Sequence, residues 1–232
     1  MIKIPAIFKQ LHSLLKQHPG VFGPVAFALT MPGLGSLIAL NLLFQSSATT
    51  WGHVASDALT QLVFIILAAI AMGLALLPTT FIAVLTGLIW GWTFFVHLVT
   101  AYTLATAIGY FLGRAFTGNQ LPLLLQPFPK AQEMVTRNAK HPAKLIFLIR
   151  LSPVIPFALS NILFSLMKVP VTRVLWWGLW GMLPRTSIAF FSGTLAANLI
   201  QAFREGRNDW EWIAVLFLFL ISTYGLIRIF KK

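Results

Sequence analysis

The chain contains no cysteine, and only five of its 232 residues are acidic. Without cysteine there can be no disulfide framework, no thiol chemistry and no zinc–thiolate site. The acidic residues are Asp57, Glu133, Glu205, Asp209 and Glu211, and none lies deep in an apolar block. The chain therefore lacks the paired carboxylates of hydrolytic acid–base catalysis and the intramembrane carboxylates on which many proton-driven transporters depend. Charge of either sign is scarce: 9% of residues, against about 25% in a soluble domain. A chain so poor in charge cannot cover a surface facing water.

What is present is apolar, at 58% of residues and a mean hydropathy of +0.83. The apolar residues form several blocks close to the roughly 20 residues that span a bilayer. An all-α integral membrane protein of one polytopic domain, residues 20–232, follows. Seventeen Lys and Arg give a net charge of +12. They sit mostly between or beside the apolar blocks, so anionic lipid headgroups are the expected partner and nucleic acid is not.

Residues 1–19 carry Ile4, Ile7, Phe8, Leu11, Leu14 and Leu15 at helical spacing, with Lys3, Lys9, His12 and Lys16 elsewhere on the wheel. This pattern predicts a basic amphipathic helix in the interface, ended by Pro19-Gly20. Val21 to Phe44 is longer than the about 7–15 residues of a signal-peptide core, and reads as a membrane helix bent at "MPG", residues 31–33. Ala58 to Leu77, Thr93 to Leu112, Val171 to Leu199 (interrupted by "GMLPRTS") and Ile213 to Phe230 are further apolar helices. Residues 115–144 form a polar surface loop.

Two stretches are apolar yet broken. "LPTTFIAVLTGLIWGW" (77–92) holds Pro78, Gly87 and Gly91, and "LIRLSPVIPFALSN" (148–161) holds Arg150, Pro153, Pro156 and Asn161. A shift of 78 residues superposes Pro78 on Pro156, and each stretch leads into a full-length helix. Backbone freed by proline or glycine at membrane depth must be buried in protein or line a wet cavity. Two broken segments at matching positions suggest a site between two repeats. The expected architecture is helices around two opposed re-entrant hairpins forming an inverted repeat. Pro78, Gly87, Gly91, Pro153, Pro156 and Pro184 are its expected hairpin-forming residues.

These stretches, with "GYFLGR" and "GLWGMLPRTSIAFFSG", resemble the DedA superfamily, in its VTT-domain (SNARE-associated Golgi protein) branch. The resemblance spans about residues 70–195. Arg150, Pro153, Pro156, Asn161, Gly181, Pro184 and Gly193 carry its second half, and Pro78, Gly87, Gly91, Gly109, Gly113 and Arg114 its first. It implies helices around opposed re-entrant hairpins, and movement of phospholipids or polyprenyl-phosphate carriers between leaflets. Thr79 and Thr80 stand where many relatives carry an acidic residue, which weakens the case for proton coupling. Ser165 stands where glycine is usual.

Intramembrane arginine needs a partner, since placing it at a helix centre costs about 2.5–3.5 kcal/mol. With no deep carboxylate, Arg150 has backbone carbonyls, water or an anionic ligand to choose from. Its planar fork matches phosphate. Arg185 poses the same question, and Arg114 and Arg173 sit at helix ends. Asn161, Thr79 and Thr80 would add neutral hydrogen bonds. His97 alone offers an intramembrane relay, against a packing role.

The sequence thus leads to a lipid transporter, flippase or scramblase, with Arg150, Arg185, Arg114, Asn161, Thr79 and Thr80 as substrate-binding candidates. The alternatives are a proton-coupled small-solute transporter and a membrane-homeostasis scaffold without transport. No catalytic constellation appears: "FSGT" around Ser192 lacks a nucleophile elbow. No metal site or cofactor is expected. A bacterial inner membrane and the option of a homo-oligomer complete the reading. Basic residues put the N-terminal segment, the 115–144 loop and the C-terminal segment on one side, whereas five crossings put the ends on opposite sides.

Overall fold

A computed structural model describes residues 19–45, 57–117, 133, 141–152 and 155–205. The amphipathic segment 1–18, Pro153 and the apolar block 213–230 lie outside the described residues. Seven α-helices are present among those described: α1 (Pro19–Gln45), α2 (Ala58–Gly73), α3 (Thr79–Trp90), α4 (Phe95–Thr117), α5 (Pro142–Leu151), α6 (Phe157–Leu166) and α7 (Val171–Glu205). A 3-10 turn, Gly91–Phe94, joins α3 to α4. The described residues contain no strand, as the composition predicts.

Two helical stretches are long and apolar enough to cross a bilayer: Gly23–Leu43, of 21 residues, and Thr79–Ala115, of 37. The second is longer than a membrane is thick. It divides at Gly91, whose φ of +64° a side chain rarely adopts. The outer faces fit lipid rather than water. Leu37, Leu59, Leu67, Val96 and Ile188 are each more than 60% exposed; so large an apolar surface has no place on a soluble monomer.

Prolines behave in two ways. Pro78 and Pro156 occupy matching positions, each capping the start of a short helix with extended backbone: φ −67° and ψ 139° at Pro78, φ −56° and ψ 147° at Pro156. Their fixed φ suits a helix start, where no N–H is needed. By contrast, α1 runs unbroken through Pro24 and Pro32, and α7 through Pro184. The expected interruption of the helix at "GMLPRTS" is therefore corrected, since α7 is continuous there. One lost hydrogen bond does not end a helix that lipid forces to satisfy its backbone internally. Gly87 likewise lies inside α3, where it permits close packing rather than a turn.

The helices pack around the pair α4 and α7. On this pair α2 and α6 lie against α4, and α3 and α5 against α7. Directions follow from the contacts. Gln61 meets His97, and Gly73 abuts Ile108 and Ala105, so α2 runs parallel to α4. Phe157 meets Tyr102, and Ser165 abuts Gly113, so α6 also follows α4. In α5, Phe147 and Arg150 lie against Gly181, while Lys144 shares a recess with Arg173; α5 follows α7. The two central helices oppose each other. Phe95 at the start of α4 meets Phe190 edge to face, 5.1 Å between ring centres, and Tyr102, two turns on, lies near Arg150 beside Gly178 and Gly181.

Asp57 caps α2, its carboxylate accepting from the Thr60 N–H at 3.2 Å. That placement, at an exposed helix start, accounts for this carboxylate without any transport role.

Candidate functional site

The last turn of α5 carries Arg150, only 3% exposed. The chain breaks just beyond it, because Ser152 turns extended and Pro156 starts a new helix. That break sends α6 back past α5, and its first turns bring Phe157, Ser160 and Asn161 to the guanidinium. Nη1 donates to Ser160 Oγ at 2.9 Å and, at 3.4 Å, to the Phe157 carbonyl; Nη2 donates to Asn161 Oδ1. Aromatic rings close the cage: the guanidinium carbon lies 4.5 Å from the Phe157 ring centre, 5.6 Å from Phe164 and 5.9 Å from Tyr102. Ring faces attract a desolvated cation.

The cage holds no neutralising charge: among the described residues Arg150 has no carboxylate partner. Two donors in it are unspent, since Arg150 Nε and Asn161 Nδ2 are buried and make no hydrogen bond. An unmade buried bond costs about 1–3 kcal/mol, and more for a charged group. The Nε side faces α7 at Gly178, where an added Cβ would stand 3.5 Å from that nitrogen. Asn161 Nδ2 faces Gly109 of α4 so closely that a Cβ there would overlap it.

Gly109 also borders an apolar crevice of about 480 Å³ between α1, α4 and α6, whose walls include Ala28, Gly73, Gly113 and Ile162. A hydrocarbon-lined slot thus lies beside a cationic, donor-rich cage. A phosphate-bearing lipid has that same combination of parts.

Of the residues singled out in the sequence, Arg150 and Asn161 are brought into direct contact. Arg185 is half-buried in α7, and no described hydrogen bond joins it to the cage. Arg114 is exposed in the last turn of α4. Thr79 is buried and Thr80 half-buried in the first turn of α3, and no described hydrogen bond joins them to the cage. His97 accepts or donates to Gln61 Oε1 at 3.2 Å and stacks near Phe94, with 4.8 Å between ring centres.

Ser160, Phe157, Phe164 and Tyr102 complete the cage without having been singled out. Ser160 had a signal, being one residue before Asn161 in the same broken stretch as Arg150. Tyr102 had none, since it comes from a distant helix. No group of three or more potential metal ligands occurs among the described residues.

These features define a polytopic helical membrane protein with a buried cation at a helix break. The family model of the VTT domain matches residues 77–195. The chain belongs to that family, the DedA/SNARE-associated Golgi proteins. No curated protein and no solved structure matches it.

Proposed function

We propose that the protein moves a phosphate-bearing lipid, a phospholipid or polyprenyl phosphate, between leaflets of a bacterial inner membrane. It does so as a flippase or scramblase, without chemical turnover of the lipid. One observation carries this reading: Arg150 is buried with neutral acceptors only, and its Nε and the neighbouring Asn161 Nδ2 remain as unspent donors. A phosphodiester supplies both the missing charge and the missing acceptors. The apolar crevice beyond Gly109 keeps the hydrocarbon chains out of the polar path.

The architecture proposed for this is an inverted repeat of two re-entrant hairpins, α2–α3 and α5–α6. Its support is the exchange of arms. Each hairpin lays its first helix on the long helix of its own half, and its second on the long helix of the other. Because α4 and α7 oppose each other, the hairpins enter from opposite sides. Full crossings among the described helices are then made by α1, α4 and α7.

The repeat is not chemically symmetric. At the 78-residue offset, Arg150, Ser160 and Asn161 correspond to Met72, Ile82 and Ala83, which are buried in an apolar cluster. Headgroup chemistry is therefore assigned to the second hairpin alone, with no acidic residue in the first to couple it to protons.

Purified protein in liposomes carrying a fluorescent phospholipid or a polyprenyl phosphate tests the proposal. Wild type is expected to accelerate transbilayer movement over empty vesicles, and Arg150→Ala to lose most of that gain. Rates equal to empty vesicles for both lipids reject it. Hydrolysed lipid in the same vesicles would point to an enzyme.

A further inference from the structure

A second basic site lies away from the Arg150 cage. The starts of α5 and α7 stand side by side and enclose an open recess of about 740 Å³. Lys144 and Arg173 form its cationic rim with His141 beside them, and Phe147 and Trp177 its aromatic wall. Among the described residues no carboxylate lines it. Neither helix has an acidic residue in its first turn, and His141 makes no side-chain cap to α5. Among the described residues the recess is thus a basic rim over an apolar floor.

Its place in the fold gives it a membrane setting. The parallel starts of α5 and α7 meet the ends of α4 and α6, as Tyr110 donates to the Val169 carbonyl at 2.7 Å. Arg114 and Lys168, both exposed, belong to the same end of the molecule. The opposite end carries Asp57 and the aromatic group Trp90, Phe94 and His97. Nine residues of α5 separate His141 from Arg150, about 13 Å along a helix, so the recess lies at headgroup level when Arg150 is within the bilayer.

We propose that this recess binds the headgroup of an anionic phospholipid, with Lys144 and Arg173 on the phosphodiester and the glycerol–acyl portion against Phe147 and Trp177. Aromatic residues at this level favour the amphipathic boundary, and basic pockets between helices on one side of a membrane take anionic headgroups. The site is a resident-lipid site, independent of whether Arg150 transports anything.

The test uses the full chain in nanodiscs of mixed phosphatidylglycerol and phosphatidylcholine, with retained lipids counted by native mass spectrometry. Wild type and Arg150→Ala are both expected to retain phosphatidylglycerol preferentially. Lys144→Gln with Arg173→Gln is expected to lower that preference about thirtyfold, the scale of losing two headgroup contacts. The charge-keeping pair Lys144→Arg with Arg173→Lys should retain it, which separates lost charge from lost fold. Equal retention of both lipids by wild type overturns the proposal, as does an unchanged preference in the double Gln variant. Displacement of the lipid by inorganic phosphate would reassign the recess to a soluble anion. Failure of transport in the liposome assay, with lipid retention intact, would sink the transport reading and leave this site standing.

Discussion

Gly87 of α3 and Gly193 of α7 face each other so closely that a Cβ on either would enter the other helix's backbone. On Gly87 it would meet the Phe190 carbonyl, and on Gly193 the Val84 carbonyl. The approach is sealed by Thr194, whose hydroxyl donates to the Gly87 carbonyl at 3.3 Å. Small residues at such crossings replace the hydrophobic drive that lipid cannot supply.

Substituting either glycine of this pair should therefore destabilise the fold. Gly87→Ala and Gly193→Ala are each expected to cost about 1–3 kcal/mol, as overpacking does. Gly33→Ala is the control, because a Cβ there meets nothing within 4 Å; relief of a helical glycine should gain up to about 1 kcal/mol. Thermal unfolding in detergent reads all three. An unchanged midpoint for both Gly87→Ala and Gly193→Ala would contradict the close approach.

The coupling between Arg150 and Asn161 should be large. Hydrogen bonds to charged groups contribute about 1.5–3 kcal/mol. In a double-mutant cycle, Asn161→Ala should cost that much more in wild type than in an Arg150→Met background. A coupling energy within error of zero would mean that the guanidinium is not held by α6. Arg150→Lys should fold yet transport poorly, because an ammonium keeps the charge without the planar fork. Equal transport by Lys and Arg would reduce the site to a point charge.

Tyr110 ties α4 to the turn between α6 and α7. It is 4% exposed, and its hydroxyl donates to Val169 at 2.7 Å. Tyr110→Phe keeps the ring and strands that carbonyl, at an expected cost of about 1–3 kcal/mol. The loss should appear as a lower unfolding midpoint without a change in helical content. No change in the midpoint would show that the carbonyl finds water instead.

Much of this was readable from the chain itself. Pro78 and Pro156 mark helix starts, because a fixed φ and a missing N–H act locally whatever surrounds them. The same residue type misleads at Pro184, where α7 continues as helix. Arg150 and Asn161 stand out in sequence because charge and amide are rare in an apolar run. Tyr102 and Phe164 do not, since an aromatic in such a run is ordinary, and only packing reveals which ring faces the guanidinium. Gly87 reads as a break but serves as a contact, a distinction that depends on α7, more than a hundred residues away.

The lack of cysteine makes the orientation directly measurable. Single cysteines can be placed at Ala58, exposed at the start of α2, and at His141, exposed before α5. The arm exchange puts these two at opposite ends of the molecule, and the basic end should be cytoplasmic. A membrane-impermeant maleimide added to intact cells is expected to label Ala58→Cys and to spare His141→Cys until the membrane is opened. A third cysteine at Ser152, in the break after α5, should react slowly from either side, because the tip of the proposed re-entrant hairpin would stay within the membrane. Labelling of Ala58→Cys and His141→Cys from the same side would rule out hairpins that enter from opposite faces, whatever the protein carries.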